Sequence, residues 1–326
     1  NTVFGEPPVN DRGARLDHQF HALLRFQDLL DLAPVADQSV EKARQGFSRM
    51  APLIGIEAPR GVDVEKRSID GPGGTLPIRI YHPPIEGKLP ACIYFHGGGF
   101  VLGDLESYDS LCRYLSVHSR CVVISVDYRR APENPFPAAI EDGVAAYRWV
   151  REKSPMLGID SDRLAVAGDS AGATISTVVC QRSIVEGSPK PDLQFLLYPI
   201  TDYPGDFESR ELFADGFFLT DSMMDWFSDR YLWGVDADTE TDPRLSPLRF
   251  DDLGQMPPAM VVTAGFDPLR DEGEAYAEKM RERGVRVLHR SCDRLVHGFV
   301  SMGGVVDAAA RATTDLAEEF RRELRR

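Results

Sequence analysis

VAGDSAGAT, residues 166–174, sets a serine between an aspartate and an alanine, with a glycine two residues away on either side. The run RLAVAG (163–168) precedes it and a helix-forming stretch (about 171–186) follows. That strand–turn–helix context is what the pattern G-x-S-x-G requires, and GDSAG, Gly168 to Gly172, meets it. The two glycines leave room for a tight turn that lifts the Ser170 hydroxyl above the sheet edge. A helix N-terminus behind it favours developing negative charge. The plainer alternative is a glycine-rich turn whose serine caps a helix.

Around this turn, short and mostly apolar runs recur: ACIYF (91–95), CVVISV (121–126), LQFLLY (193–198), AMVVTAG (259–265) and VRVLHRS (285–291). Helical segments fall between them at about 107–119, 138–153, 171–186 and 271–283, with a last one at about 305–325. Buried parallel strands alternating with helices predict a doubly wound α/β sheet. A hairpin, VDVEKRSI (62–69) and LPIRIYH (76–82) joined through GPGG (71–74), brings the strand candidates to eight. Ahead of it, Leu16, Phe20, Leu23, Leu24 and Leu30 keep helical spacing over 14–31, and Pro34 and Pro52 bound a weaker helical stretch. Residues 203–242 are too long for a plain connection. They hold GFFLTDSMMDWFSDRYLWG (216–234), where Thr220 is placed to cap a helix with Met224, Phe227 and Tyr231 on one side. An insertion of this kind is usually functional, often a lid, and also serves as a helix packed on the core.

The chain of 326 residues is 43% hydrophobic, enough for a large core. No apolar stretch approaches the roughly 20 residues of a membrane span, and the first residues lack the pattern of a signal peptide. Cys92, Cys112, Cys121, Cys180 and Cys292 form no C-x-x-C pair and read as free thiols, four of them in or beside apolar runs, as expected of a cytoplasmic protein. A net charge of -14 argues against nucleic acid as a partner. The short basic end RRELRR reads as a solvated helix terminus.

HGGGF, His96 to Phe100, follows the strand ACIYF directly. Three glycines let backbone N–H groups approach a ligand, as acyl transfer needs where a carbonyl oxygen turns negative. A dinucleotide loop would need G-x-G-x-x-G, and position 102 is leucine. A serine nucleophile also needs a base and an orienting acid, which follow in the order acid, then histidine. Only His289 and His297 come after Ser170. His289 lies inside a predicted strand; His297, in LVHGF, hangs past it beside Gly298 and is the better base. Asp267 follows AMVVTAG directly and is the leading acid, although Asp267–Pro268 also reads as a helix start. Asp271, Glu272 and Asp293 are weaker candidates.

Together HGGGF, DYRRAPENPFPAA (127–139), GDSAG, DPLRDEG (267–273) and HGF (297–299) resemble the bacterial hormone-sensitive-lipase family of α/β-hydrolase esterases over about residues 90–300. The resemblance implies an eight-stranded, mostly parallel sheet with a helical cap: residues 1–50 as its N-terminal part, 203–242 as its insertion, and 51–202 with 243–326 as the hydrolase core. It assigns Ser170 as nucleophile, His297 as base and Asp267 as acid, and an oxyanion hole to the N–H groups of Gly98, Gly99 and Ala171. Ala173 and Arg130 depart from the family's commoner residues, glycine and leucine; neither departure is expected to touch the chemistry, and that at Arg130 bears on a surface or an interface.

The expected reaction is hydrolysis of short- to medium-chain acyl esters through an acyl-enzyme, with no cofactor or metal required. Activity should fall on the acid side as the base protonates. Phe100, Phe217, Phe218, Trp226 and Leu295 are pocket or cap candidates. A lipase acting on lipid droplets is a second hydrolase reading, without a lipid-docking motif to support it. The rival from another class is a catalytically silent receptor, as in the plant gibberellin receptor, which resembles this family but has lost the histidine. The partner is a small-molecule ester, and family analogy adds a homodimer through the last strand or helix.

Overall fold

The apolar runs and the hairpin become eight strands of one sheet in a computed structural model that describes residues 5–30 and 33–326. The strands are β1 (Asp63–Gly71), β2 (Gly74–His82), β3 (Leu89–Phe95), β4 (Val122–Val126), β5 (Ile159–Asp169), β6 (Leu193–Leu197), β7 (Ala259–Phe266) and β8 (Val287–Val296). Their order across the sheet is β1-β2-β4-β3-β5-β6-β7-β8. β2 runs antiparallel to β1 and β4, and all other neighbours are parallel.

The helices are α1 (His18–Leu29), α2 (Val40–Ile54), α3 (Asp109–Ser119), α4 (Ala138–Lys153), α5 (Ala171–Val185), α6 (Glu208–Leu212), α7 (Asp221–Tyr231), α8 (Arg270–Glu282) and α9 (Asp307–Glu323). Alternation along β3 divides the core. Ala91, Ile93 and Phe95 pack with Tyr147 of α4, Ile175 of α5 and Tyr276 of α8; Cys92 and Tyr94 pack with Leu111 of α3 and Phe320 of α9. With helices on both faces, every residue of β4, β6 and β7 is buried, which is why these strands are continuous apolar runs. Four of the five free thiols are buried and Cys292 is half-buried.

Several boundaries differ from the sequence expectation. α1 starts at His18 rather than 14, because the Asp17 carboxylate caps it by accepting from the Gln19 N–H at 2.9 Å. The end of that predicted helix at 31, and positions 1–4 and 31–32 of the predicted cap segment 1–50, lie outside the described residues. α2 starts after Ser39, whose Oγ accepts from the Lys42 N–H at 3.3 Å, and runs past Pro52. β8 is Val287–Val296 rather than 285–291, and its pairing with β7 continues to Phe266 opposite Val296. The strand therefore delivers the chain directly to His297. Within 203–242, Thr220 caps α7, with Oγ1 accepting from the Met223 N–H at 3.3 Å; the buried residues of that helix are Trp226 and Tyr231.

Candidate active site

β5 ends at Asp169 and α5 begins at Ala171, which leaves one residue to reverse the chain. Ser170 does so at φ 53° and ψ −122°, a conformation costing a non-glycine residue about 1–3 kcal/mol. The turn is held by the Ser170 N–H donating to Leu197 O at 2.8 Å and the Ala173 N–H donating to Ser170 O at 2.9 Å. It also depends on close packing: a Cβ at Gly172 would stand 1.9 Å from Phe95 O. Ser170 sits at the N-cap position, yet its side chain makes no capping hydrogen bond. That decides against the plain capping turn.

The Ser170 Oγ instead lies 2.9 Å from His297 Nε2, and His297 Nδ1 lies 2.8 Å from Asp267 Oδ2. Each residue comes from the C-terminal end of a parallel strand: Ser170 after β5, Asp267 after β7, His297 after β8. Asp267 is fully buried, while Ser170 and His297 keep 8% and 6% exposure, so the relay opens to the surface at the serine end. Asp267 Oδ1 accepts from the Leu269 N–H at 2.8 Å. The carboxylate thus also holds the entry to α8, although the N-cap residue of that helix is Leu269. The other acids are engaged elsewhere. Asp271 pairs with Arg270 and Arg12, Glu272 with Arg210, and Asp293 accepts from Ser291. His289 Nε2 lies 2.9 Å from Thr263 Oγ1 within the sheet, a strand residue as expected.

Beyond β3, the glycine loop brings its backbone up to the same end of the sheet. Among the described residues, none accepts a hydrogen bond from the N–H groups of Gly98, Gly99 or Ala171. Gly99 has φ 58°, and a Cβ there would stand 2.2 Å from the Phe227 ring, so α7 lies directly on the loop. Asp169 holds the loop from below: it accepts from Tyr94 OH at 2.7 Å, the Gly97 N–H at 2.9 Å and Tyr108 OH at 3.0 Å. Burial raises the Asp169 pKa, opposed by these three donors. From above, Arg44 of α2 donates to Val101 O at 2.9 Å and Ala131 O at 2.7 Å. Arg130 is half-buried and donates to Gly103 O. Asp169 and Arg44 were not legible as site residues, because their partners are distant in sequence.

The pocket candidates separate. Phe218 (φ 77°) stands against Gly298, beside His297, and Phe217 packs on Phe266, the residue before Asp267, at 5.3 Å between ring centroids. Phe100 is buried and stacked on Tyr231 at 3.7 Å. Trp226 is buried, with Nε1 donating to Gln38 O at 3.2 Å, so it joins the 203–242 stretch to the N-terminal region. Leu295, a residue of β8, is buried in the core cluster that also holds Phe299 and Val300. Phe227, not anticipated for the pocket, is the ring in contact with Gly99.

His96 is fully buried, stacked on Tyr128 at 4.3 Å, with Nδ1 2.8 Å from Gly97 O. Burial is the main cause that pushes its pKa down to about 4; nearby Arg130 adds to this, while the Gly97 carbonyl and Asp104 oppose it. A base depressed in the folded state is neutral there while its unfolded counterpart still binds a proton. Its contribution is therefore intact above about pH 6.5 and lost as pH falls towards about 4, by up to about 3 kcal/mol. Thermal melts at pH 7 and 4.5 should show this fall, and His96→Asn should show a smaller one. Equal falls in the two proteins would contradict it.

Comparison with known proteins gives the family of the chain. A family model described as alpha/beta hydrolase fold matches residues 92–301. The carboxylic ester hydrolase LipN of Mycobacterium tuberculosis is 45% identical over 270 residues, covering 81% of this chain and 72% of that protein. The ethyl acetate hydrolase of Pseudomonas putida is 34% identical, covering 89% of this chain and 92% of that protein. Among solved structures, an alpha/beta hydrolase enzyme from the metagenome of Lake Arreo, Spain, superposes with a TM-score of 0.90 at 40% identity, covering 94% of this chain and 98% of that one.

Proposed function

We propose, on the premise that the chain belongs to the bacterial hormone-sensitive-lipase family of alpha/beta-hydrolase esterases and is a carboxylic-ester hydrolase, that it cleaves short- to medium-chain acyl esters through Ser170, His297 and Asp267. The observation that carries this reading is the unbroken hydrogen-bond relay from Ser170 Oγ through His297 to Asp267. Ser170 attacks the ester carbonyl while His297 Nε2 takes its proton. Asp267 holds the imidazole through Nδ1 and stabilises its charged form. The carbonyl oxygen, now negative, is met by the N–H groups of Gly98, Gly99 and Ala171. The alcohol leaves with the proton from His297. Water activated by the same histidine then releases the acid from the acyl-enzyme. The receptor alternative gains no support from a chain whose histidine stands within hydrogen-bond distance of the serine.

Two rings support the chain-length part of the proposal. Phe227 lies against Gly99 and Phe218 against Gly298, so aromatic side chains crowd the glycine loop on one side and the base on the other. A relative named for ethyl acetate points the same way. Residues 1–50 and 203–242 together act as the cap over a small-molecule ester, in keeping with the bond between Trp226 and Gln38. Free thiols suit a reducing compartment, so the proposed location is cytoplasmic. β8 is an outer strand of the sheet and the proposed homodimer edge.

The test is hydrolysis of p-nitrophenyl esters from acetate to palmitate. kcat/KM should peak among the shorter chains and fall by at least about a hundredfold at palmitate, since each misfitted stretch of chain forfeits binding at the transition state. A maximum at palmitate would replace this proposal with the lipase reading.

A further inference from the structure

The loop that carries Asp267 is tied to a segment more than 250 residues away in sequence. Arg270, three residues after Asp267, is a large cation with 1% exposure. Its guanidinium is paired bidentately with Asp11, Nη1 to Oδ1 at 2.6 Å and Nη2 to Oδ2 at 3.0 Å, while Nε donates to Asp271 Oδ1 at 2.7 Å. The Arg270 guanidinium in turn holds the Asp11 carboxyl below the usual carboxylate range. Next to it, Asn10 uses its whole side-chain amide. Nδ2 donates to Gly265 O at 3.2 Å and Asp293 O at 3.5 Å, and Oδ1 accepts from the N–H groups of Arg12 and Ala14. Gly265 and Arg270 bracket Phe266–Leu269, the turn that contains Asp267. Arg12 adds ion pairs to Asp271 and Glu274 of α8.

We infer that Asn10 and Asp11 form a strap that positions Asp267 against His297, with Asp11 as the principal positioning residue. The inference rests on the triad reading above. A guanidinium this deeply buried is stable in one place only while its bidentate partner is there. Without Asp11, the cation keeps Asp271 as its carboxylate partner and a long contact to Gly265 O at 3.4 Å, and the turn relaxes toward solvent or toward that neighbour. The aspartate then moves relative to an imidazole that must be held to within a fraction of an ångström.

The experiment is a double-mutant cycle between Asp11→Asn and Asp267→Asn on the full chain, with p-nitrophenyl acetate, well below the melting temperature of each protein. Asp11→Asn is expected to lower kcat about tenfold to a hundredfold with KM nearly unchanged, and Asp11→Glu to restore most of it. In the Asp267→Asn background the same substitution should cost less than about twofold, because there is no carboxylate left to position. An equal loss in both backgrounds, or an unchanged kcat in Asp11→Asn, would overturn the inference and leave the strap as a stability element. Should Asp11→Asn not fold, Asn10→Ala takes its place in the cycle with the same two outcomes. Ser170→Ala is run alongside: full activity there would sink the triad reading, and this inference with it, independently of how the strap variants behave.

Discussion

Ser170→Ala is expected to lower kcat for ester hydrolysis about a million-fold while the protein stays folded. The loss is large because the nucleophile has no substitute. Without Oγ, His297 has no hydroxyl to deprotonate, and water attacking directly would have to occupy a position the strained turn reserves for a side-chain oxygen. The fold is expected to survive because Ser170 is held by its backbone. Its N–H donates to Leu197 O and its carbonyl accepts from Ala173, while among the described residues the hydrogen-bond partner of Oγ is His297. His297→Ala should cost about as much, and the double variant little more than either alone, since the residues act as one unit. Steady-state kinetics beside thermal melts checks this. A Ser170→Ala protein that keeps more than about a thousandth of the activity would contradict the assignment.

Asp267→Asn is expected to lower kcat about ten-thousand-fold with KM changed little. The amide matches the carboxylate in size, and its oxygen still accepts from the Leu269 N–H, so the entry to α8 is kept. What changes is the imidazole. An amide oriented by Leu269 points its NH2 group at His297 Nδ1, which favours the tautomer with the proton on Nε2. That places a donor where Ser170 needs an acceptor, and the charge of the imidazolium is no longer offset. A loss of less than about a hundredfold would mean that one of the neighbouring acids supplies the function, although Asp271 and Glu272 are both committed to arginines.

Much of this site was legible in the sequence because its residues obey local rules. GDSAG carries its own context, a strand before and a helix after, and Gly172 is required by a contact of its own turn with β3. Asp267 could be placed because it follows an apolar run, and His297 because it lies past the last predicted strand beside a glycine. The central strands were equally plain, since burial on both faces leaves no polar alternation to confuse them. What was not legible depends on tertiary contacts. β8 extends beyond its apolar start because it pairs with β7 through HRSCDRLV, a stretch with little hydrophobic pattern. Asp169 meets Tyr94 and Tyr108 only after the sheet has formed, and Asn10 and Asp11 meet Gly265 and Arg270 across nearly the whole chain. Aromatic residues of the 203–242 stretch could be named as a group. Their division between core and site edge, with Trp226 buried and Phe227 on Gly99, follows from how α7 docks.

The central claim is that Ser170 forms a covalent intermediate with the acyl group. A p-nitrophenyl phosphonate ester mimics the tetrahedral intermediate and stays attached to the oxygen that attacks it. Mass spectrometry of the treated, digested protein is predicted to find one adduct per chain, on Ser170, appearing in step with loss of esterase activity and absent from His297→Ala on the same timescale. An adduct on another residue, or full inactivation with Ser170 unmodified, would contradict the account.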